Sequence, residues 1–360
     1  MQRFGSMMLE GLRSGGIEAE LIRPKPFFGR VKGVGGFVTK WLAYIDKFIV
    51  FPFQLRRKLA ARPSLVHICD HSNAVYVNRC KEIPTVVTCH DFLAMRGALG
   101  EDTDCPASLT GKFLQRWIRS GLGRATAVAC VSRSTLQDAE RFLGGRALSP
   151  RMSVITLGLN YPYQPLTPEV IEERLSEVRD LGRGDSFILH VGSNLRRKNR
   201  EGVLRIFARY EENWNGRLIL AGDPLTRELR LLSDNLGVAS RIIEVPEPRS
   251  ELLEALYNGA LALIYPSRFE GFGWPVAEAQ ACGCPVLCSN SGPLPEVTGG
   301  AALLHDVDDE EAFAADIVRL ADPAERRKWS EKGLENAKRF STTRMISEYK
   351  NLYRTLAPNL

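Results

Sequence analysis

From Ser186 onward, six short apolar runs alternate with stretches that carry the three-and-four spacing of amphipathic helices. No other feature of the chain constrains its fold as much. The runs read FILHVG, RLILAGD, RIIEVP, LALIYPS, PVLCSN and AALLHD. Each is short and bounded by turn residues, which predicts a buried strand. Between the first two, Val203, Ile206, Phe207 and Tyr210 fall at i, i+3, i+4 and i+7, the pattern of one helical face. Further helices are expected over residues 227–235 and 249–257. Strands spaced by helices in this rhythm predict an α/β fold with a parallel, doubly wound sheet.

The first half repeats the pattern less cleanly. IEAELIRP, SLVHICD, TVVTCHD, ATAVACVS and MSVITLG are strand-like, with helices expected over residues 111–122 and 132–143. A proline-bearing stretch, LNYPYQPLTPE (159–169), breaks the rhythm and reads as a linker. After Ala321 come helices without strands, the last with Ser341 as its N-cap. The expected organisation is a Rossmann-like domain over 1–160, a second over 161–340, and a final helix over 341–360 that crosses back to the first domain. A length of 360 residues suits two such domains better than one core. Ligands of such sheets bind at the carboxyl ends of strands, so a cleft between the domains is the expected site.

Doubly wound domains open with a strand and a glycine-rich turn. Here Phe4, Met7, Met8 and Leu12 give the stripe of a helix at the very start. The expectation is that the first strand is missing and that the natural polypeptide starts upstream.

Charge divides unevenly: residues 1–150 carry a net +10 and residues 151–360 a net −4. A basic first half suits an anionic partner or surface. Between 30 and 62, Phe37, Trp41, Ile45, Phe48 and Phe51 interleave with Lys40, Lys47, Arg56, Arg57, Lys58 and Arg62. That mixture fits peripheral contact with an anionic membrane face, against the plainer reading of a domain helix with a solvated basic edge. WLAYIDKFIVFPF (41–53) is too short and too charged to span a bilayer. The eight cysteines form no C-x-x-C pair and fit buried thiols in a reducing, cytoplasmic compartment.

Chemistry concentrates in PSRFEGFGWPVAEAQACGCPV (266–286), where Glu270 and Glu278 flank a glycine-rich turn. Proline favours the first position of a helix, so a helix is expected to start at Pro275, with Glu278 in its first turn. The turn Gly271–Phe272–Gly273 leads into that N-terminus, where free N–H groups favour an anion such as phosphate. Glu278 would repel a phosphate beside it, yet as an acceptor it suits sugar or ribose hydroxyls. Glu270, at a strand's carboxyl end, can act likewise from the other side. A ligand with phosphates between two polyols is a nucleotide sugar. Upstream, HVGSNLRRKN ends a strand in Gly192 and Ser193 and then presents Arg196, Arg197 and Lys198, which suits a diphosphate.

Together FEGFGWPVAE and VGSNLRRKN resemble the E-x7-E segment and phosphate loop of the retaining GT-B glycosyltransferases of family 4. TCHD, CVSRSTLQDAERF and YNGALALIYPSRFEGFG extend the resemblance over most of the chain. It implies two Rossmann-like domains facing across a cleft and transfer of a hexose, mannosyl first, from a GDP- or UDP-linked donor to a saccharide or lipid-linked acceptor. No cofactor, metal or nucleic acid is implied. By resemblance Glu270 meets the transferred sugar, Glu278 the ribose, and Arg197 and Lys198 the departing diphosphate. Gly192, Ser193 and Gly271–Gly273 match the donor cradle, and the Val245 main chain meets the base. His90 faces the reaction centre from the acceptor side. Ser193 stands where many members have arginine, leaving more phosphate work to Arg197 and Lys198.

Rival readings are a degenerate nucleotide-sugar binder, a GT-B-like sugar-nucleotide epimerase, and a metal-dependent transferase using Asp102–Asp104 or Asp306–Asp308. N-capping and solvation account for both D-x-D pairs. His67 and His71 lie about a strand, so their spacing does not share a helix face as a zinc pair would.

Overall fold

Strand pairing divides the chain into two parallel sheets. A computed structural model describes residues 2–24, 27–28, 36–144, 150–210, 214 and 216–358. The first sheet holds β1 (Val66–Ile68), β2 (Thr85–Cys89), β3 (Ala127–Cys130) and β4 (Arg151–Val154), in that spatial order. The second holds β5 (Phe187–Gly192), β6 (Arg217–Gly222), β7 (Ile242–Pro246), β8 (Leu263–Tyr265), β9 (Val286–Ser289) and β10 (Leu303–His305). Its order is β10-β9-β8-β5-β6-β7. All pairs are parallel, and β2, β3, β8 and β9 are buried throughout, which is why their sequences read as apolar runs without alternation.

The second sheet has one property that places a site. The chain runs outward from β5 through β6 to β7, then returns to lay β8 on the other side of β5. The loops leaving β5 and β8 therefore diverge, and the crevice at their carboxyl ends is the switch point where such sheets bind ligands. Behind it, the helix Arg200–Tyr210 buries Val203, Ile206 and Phe207 completely, as its spacing predicts. The Tyr210 side chain falls outside the described residues.

Two helices far apart in sequence close the other domain. Thr342–Leu356 starts at Ser341, whose hydroxyl accepts from the Arg344 N–H, and crosses to the first sheet. There the Tyr349 hydroxyl lies 2.7 Å from Thr88 Oγ1 and the Tyr353 hydroxyl 2.6 Å from His67 Nδ1. The helix Gln2–Ser14 packs beside it so closely that a Cβ on Gly11 would come within 2.5 Å of Ile346. The 159–169 stretch is pinned to the second domain by Gln164 N–H to Glu254 and Leu166 N–H to Asn258.

One expected strand is absent from the sheets. Residues 17–22 belong to no ladder, although Ile17, Ala19 and Ile22 pack against core residues. A strand needs a neighbour for its N–H and C=O groups, and among the described residues no ladder extends beyond β1. The 41–53 stretch is helical, in Gly36–Ile45, a π turn at Asp46–Val50 and Phe51–Leu59. Residues 30–35 of the basic segment, and the side chains of Phe37 and Lys40, lie outside the described residues. Among the described residues no helix is long and apolar enough to cross a membrane. All eight cysteines are free thiols.

Candidate active site at the switch point

β5 ends in Gly192, and the loop beyond it makes a single 3-10 turn, Arg196–Lys198, before Asn199 at φ +52° admits the next helix. Arg200 braces this loop from beneath. Its guanidinium donates to the Gly192 carbonyl at 2.7 Å, the Asn194 Oδ1 at 2.7 Å and the Asp223 carbonyl at 2.6 Å. Gly222, the partner of Gly192 on β6, has φ +128°, and a Cβ there would meet the Gly192 carbonyl oxygen at 2.1 Å. The paired glycines let two backbones touch under the loop.

Lys198 is buried, and its ammonium donates 2.6 Å to Glu270 Oε1 and 2.5 Å to the Tyr265 hydroxyl. That hydroxyl in turn donates to Glu270 at 2.8 Å. Burial lowers the Lys198 pKa while the Glu270 charge holds it up. Arg197 joins from the side, with Nη1 3.4 Å from the Phe269 carbonyl and 3.5 Å from Glu270 Oε2. The Arg268 N–H donates to the Arg197 carbonyl at 2.7 Å, tying the β5 and β8 loops together. Arg197 and Lys198 thus meet Glu270, 72 residues or more further along the chain, in one cluster. Tyr265 completes it; the sequence signal was a polar aromatic closing an otherwise aliphatic strand.

Glu278 lies elsewhere and differs from expectation. The helix runs Trp274–Ala281 with Pro275 at its second position, so Glu278 falls in the second turn. Gly273, at φ +100°, is the N-cap, and it shifts the start one residue ahead of the proline. Glu278 is buried and accepts from the Tyr257 hydroxyl at 2.9 Å. Burial pushes its carboxyl up to about 7, against the pull of Tyr257, Arg3 and Asn160. Arg3 and Asn160 also line an open cleft of about 800 Å³ with Tyr161 and Ser250. The Val245 side chain is in the core at the end of the edge strand β7, leaving its main chain at the strand end.

The glycine-rich turn is shaped by the other domain. A Cβ on Gly271 would lie 2.1 Å from the His90 carbonyl oxygen, and the Gly271 carbonyl accepts from Ser132 Oγ at 3.2 Å. In this structure the turn is small so that backbone, rather than a ligand, can approach it. Phe272 is a core residue, edge-on to Phe340 at 5.7 Å. Ser193, half-buried, follows β5 at the start of the next loop.

His90 follows β2 directly. Its Nε2 is 3.0 Å from the Cys69 carbonyl, and its ring abuts Phe4 at 5.1 Å. Burial pushes the imidazole down to about 4, so it is neutral near pH 7. Among the described residues no hydrogen bond joins it to the Lys198–Glu270 cluster, which it neighbours through its backbone. Between the domains, Asp91, Arg96, Ser134 and Asp138 face Arg268 and Glu270 around a cavity of about 260 Å³.

The D-x-D pairs have partners that solvation alone does not describe. Arg196 donates at 2.8 Å to both Asp102 and Asp104, and Asp104 also takes the Arg197 N–H. The first pair is therefore an interdomain clasp on the loop that follows β5. Asp308 pairs with Arg268 at 2.6 Å, while the adjoining Asp309 caps the helix Glu310–Leu320. His67 bonds to Thr88 and Tyr353, whereas His71 stacks on Phe92.

The chain has counterparts among known proteins. Residues 172–336 match the family model for glycosyl transferases group 1, and residues 5–160 match that for glycosyltransferase family 4. The chain belongs to this glycosyltransferase family. It is 31% identical over 253 residues to O-antigen chain mannosyltransferase B of Escherichia coli, covering 67% of this chain and 65% of that one. It is 27% identical over 290 residues to D-inositol 3-phosphate glycosyltransferase of Corynebacterium glutamicum, covering 77% and 68%. The chain spans about two thirds of the length of these relatives. Among solved structures, sucrose-phosphate synthase of Thermosynechococcus elongatus superposes with TM-score 0.75 at 21% identity, over 97% of this chain and 91% of that one. WaaG, a glycosyltransferase involved in lipopolysaccharide biosynthesis, gives 0.71 at 17%, over 98% and 95%. The fold is GT-B.

Proposed function

We propose that this glycosyltransferase moves a hexose from a GDP- or UDP-linked donor to a saccharide or lipid-linked acceptor, with retention of configuration. The observation that carries the reading is the buried Lys198–Glu270–Tyr265 cluster at the switch point. A buried ammonium held by a carboxylate is poised to exchange partners. When a donor enters, its diphosphate takes over the charge of Lys198 and Arg197, and Glu270 becomes free to accept from sugar hydroxyls. As the glycosidic bond breaks, negative charge grows on the leaving phosphate. Cations fixed beforehand in a water-poor site stabilise that charge more than they stabilise the bound donor, and this lowers the barrier.

Glu278 behind the open cleft suits the ribose, and the Arg3–Asn160 wall suits the rest of the nucleotide. The cavity lined by Asp91, Ser134 and Asp138 suits a hydroxylated acceptor facing Glu270. His90, neutral, serves that side as a polar wall and not as a charge. On this reading Glu270 is taken up by the sugar hydroxyls and does not act as a covalent nucleophile, which favours a same-face, oxocarbenium-like displacement. Mannose is the first sugar to try, given the E. coli relative's name. The protein is read as acting at the cytoplasmic side.

The test is incubation with GDP-mannose and UDP-glucose, with and without a panel of mannosides and lipid-linked saccharides. Expected is acceptor-dependent release of nucleoside diphosphate and an axial anomeric linkage in the product by NMR. Diphosphate release without a glycoside product would point to hydrolysis or epimerisation; an inverted anomer would remove the retaining mechanism.

A further inference from the structure

One carboxylate in the cavity between the domains lacks a hydrogen-bond donor among the described residues. Asp138, on the helix Arg133–Leu143, lines that cavity of about 260 Å³ together with Glu270. Two arginines stand near it, yet both are turned to Glu101. Arg96 Nε donates to Glu101 Oε2 at 2.8 Å, and Arg141 Nη2 donates to Glu101 Oε1. From Asp138 the same two guanidiniums lie 3.8 and 4.0 Å away, in ion-pair range but beyond a hydrogen bond. Burial raises the Asp138 pKa, and the arginines do not offset it. A carboxylate this withdrawn from water needs donors, and here they come from the contents of the cavity.

Its helix is held in one orientation. Ser134, one turn before Asp138, shares its face and also lines the cavity, and among the described residues its hydroxyl has no partner. The other side of the helix buries Ala139, Phe142 and Leu143. Its start is fastened to the second domain by Ser132 Oγ on the Gly271 carbonyl at 3.2 Å and the Arg133 N–H on Glu296 at 2.8 Å. Because Gly271 adjoins Glu270, these contacts fix Asp138 relative to Glu270. Arg96 and Arg268 line the cavity too, but each is already paired, with Glu101 and Asp308, so neither calls for an anionic ligand.

We propose that Asp138 determines acceptor specificity, its two carboxylate oxygens taking adjacent hydroxyls of one sugar or cyclitol ring, with Ser134 as a further contact. The inference rests on the reading of this cavity as the acceptor side. An ionised carboxylate offers acceptors only, on two oxygens held side by side, and hydroxyls on neighbouring carbons present two donors together. The cavity is smaller than the about 300–1,000 Å³ of ordinary ligand pockets, so it admits a single ring. Glu101 does not line the cavity and acts as a positioning residue. By holding Arg96 and Arg141 it keeps them from closing on Asp138.

Polyol affinity, measured by NMR titration of the full chain with and without GDP or UDP, tests this without requiring transfer. The probes are the methyl glycosides of mannose, glucose and galactose, myo-inositol, and the monodeoxy analogues of the tightest binder. Removing one hydroxyl of the recognised pair should weaken binding to the wild type by about tenfold to a hundredfold, as for a hydrogen bond to a charged group. Asp138→Asn should bind the parent polyol more weakly by a similar factor and no longer distinguish it from that analogue. Glu101→Gln should weaken polyol binding as well, by about tenfold, since Arg96 and Arg141 are then free to occupy Asp138. Nucleotide affinity by calorimetry should stay near the wild-type value in both variants. Equal wild-type affinity for the parent and all its deoxy analogues would overturn the proposal, as would discrimination that survives in Asp138→Asn. A wild type that binds GDP or UDP but no polyol would overturn this inference and leave the donor reading standing. One that binds polyols with the expected discrimination but no nucleotide would sustain it and overturn the donor reading.

Discussion

The two sheets are both parallel and both buried, yet only one makes a site by topology. In the second domain the order β10-β9-β8-β5-β6-β7 reverses direction at β5, and the loops at that reversal carry Lys198 and Glu270 to each other. In the first domain the described strands run β1-β2-β3-β4 without reversal. Its contribution comes from loop ends, in the His90 backbone against Gly271, Ser132 on the Gly271 carbonyl and Asp104 on Arg196 in the loop after β5. The Lys198–Glu270 cluster is thus fixed by strand order, whereas the first domain's side of the cleft is held by contacts that could be rearranged one at a time.

That contrast can be broken by mutation, and the largest effect should come from the topological site. Lys198→Ala is expected to lower kcat by about a hundred- to a thousandfold while donor affinity falls far less, because charge on the leaving group develops in the transition state. Steady-state kinetics that show an unchanged kcat would remove Lys198 from the phosphate role. Gly271→Ala tests the domain contact. A methyl aimed at the His90 carbonyl from 2.1 Å must push the domains apart. Transfer should fall about tenfold or more, since small displacements of positioned groups cost that much, while nucleotide binding to the second domain is retained. Equal loss of both would mean the change damages the donor site itself.

Glu278 sharpens the comparison through pH. Its folded carboxyl is raised to about 7 by burial, above the ordinary value near 4.5. The folded state therefore holds the proton longer than the unfolded one, and stability from this group falls as pH climbs from about 4.5 to 7, by about 3 kcal/mol in all. Buried His67, His90 and His190, lowered to about 3 or 4, act in the opposite sense: their contribution is complete above about 6.5 and is lost on acidification. The difference between wild type and Glu278→Gln in urea unfolding should isolate the first term, growing between pH 5 and 7.5. A flat difference would mean the carboxyl is not buried in solution. The smallest effect belongs to the clasp. Arg196 is 60% exposed, so Arg196→Ala should cost under about 1 kcal/mol of stability and change kcat only a few-fold. A loss matching that of Lys198→Ala would make the clasp part of the chemistry.

Local pattern made much of this legible. Apolar runs named β5–β10 because parallel strands are buried on both faces, and the spacing of Val203, Ile206 and Phe207 named their helix because the period belongs to the backbone. The residue types at Arg197, Lys198 and Glu270 marked two separate loops as candidate sites for phosphate and hydroxyl groups, and the fold brings those loops together. Where pattern failed, a neighbour was responsible. Residues 17–22 have strand composition, but a strand exists only when another supplies its ladder. Pro275 marks a helix start within one residue; Gly273 at φ +100° decides which one.

Other facts belonged to the tertiary structure alone. Nothing in LALIYPS says that Tyr265 will close on both Lys198 and Glu270, since that depends on β8 lying beside β5. Nothing in FEGFG says that Gly271 faces another domain, or in EDTDCP that Asp104 will hold Arg196. The sequence by itself determined the two parallel sheets and the charged groups at their loop ends, because periodicity and side-chain chemistry are local. The folded chain decided which of those groups meet and which are buried. Both depend on strand order and domain packing, and desolvation then sets charges, such as that of Glu278, that composition leaves open.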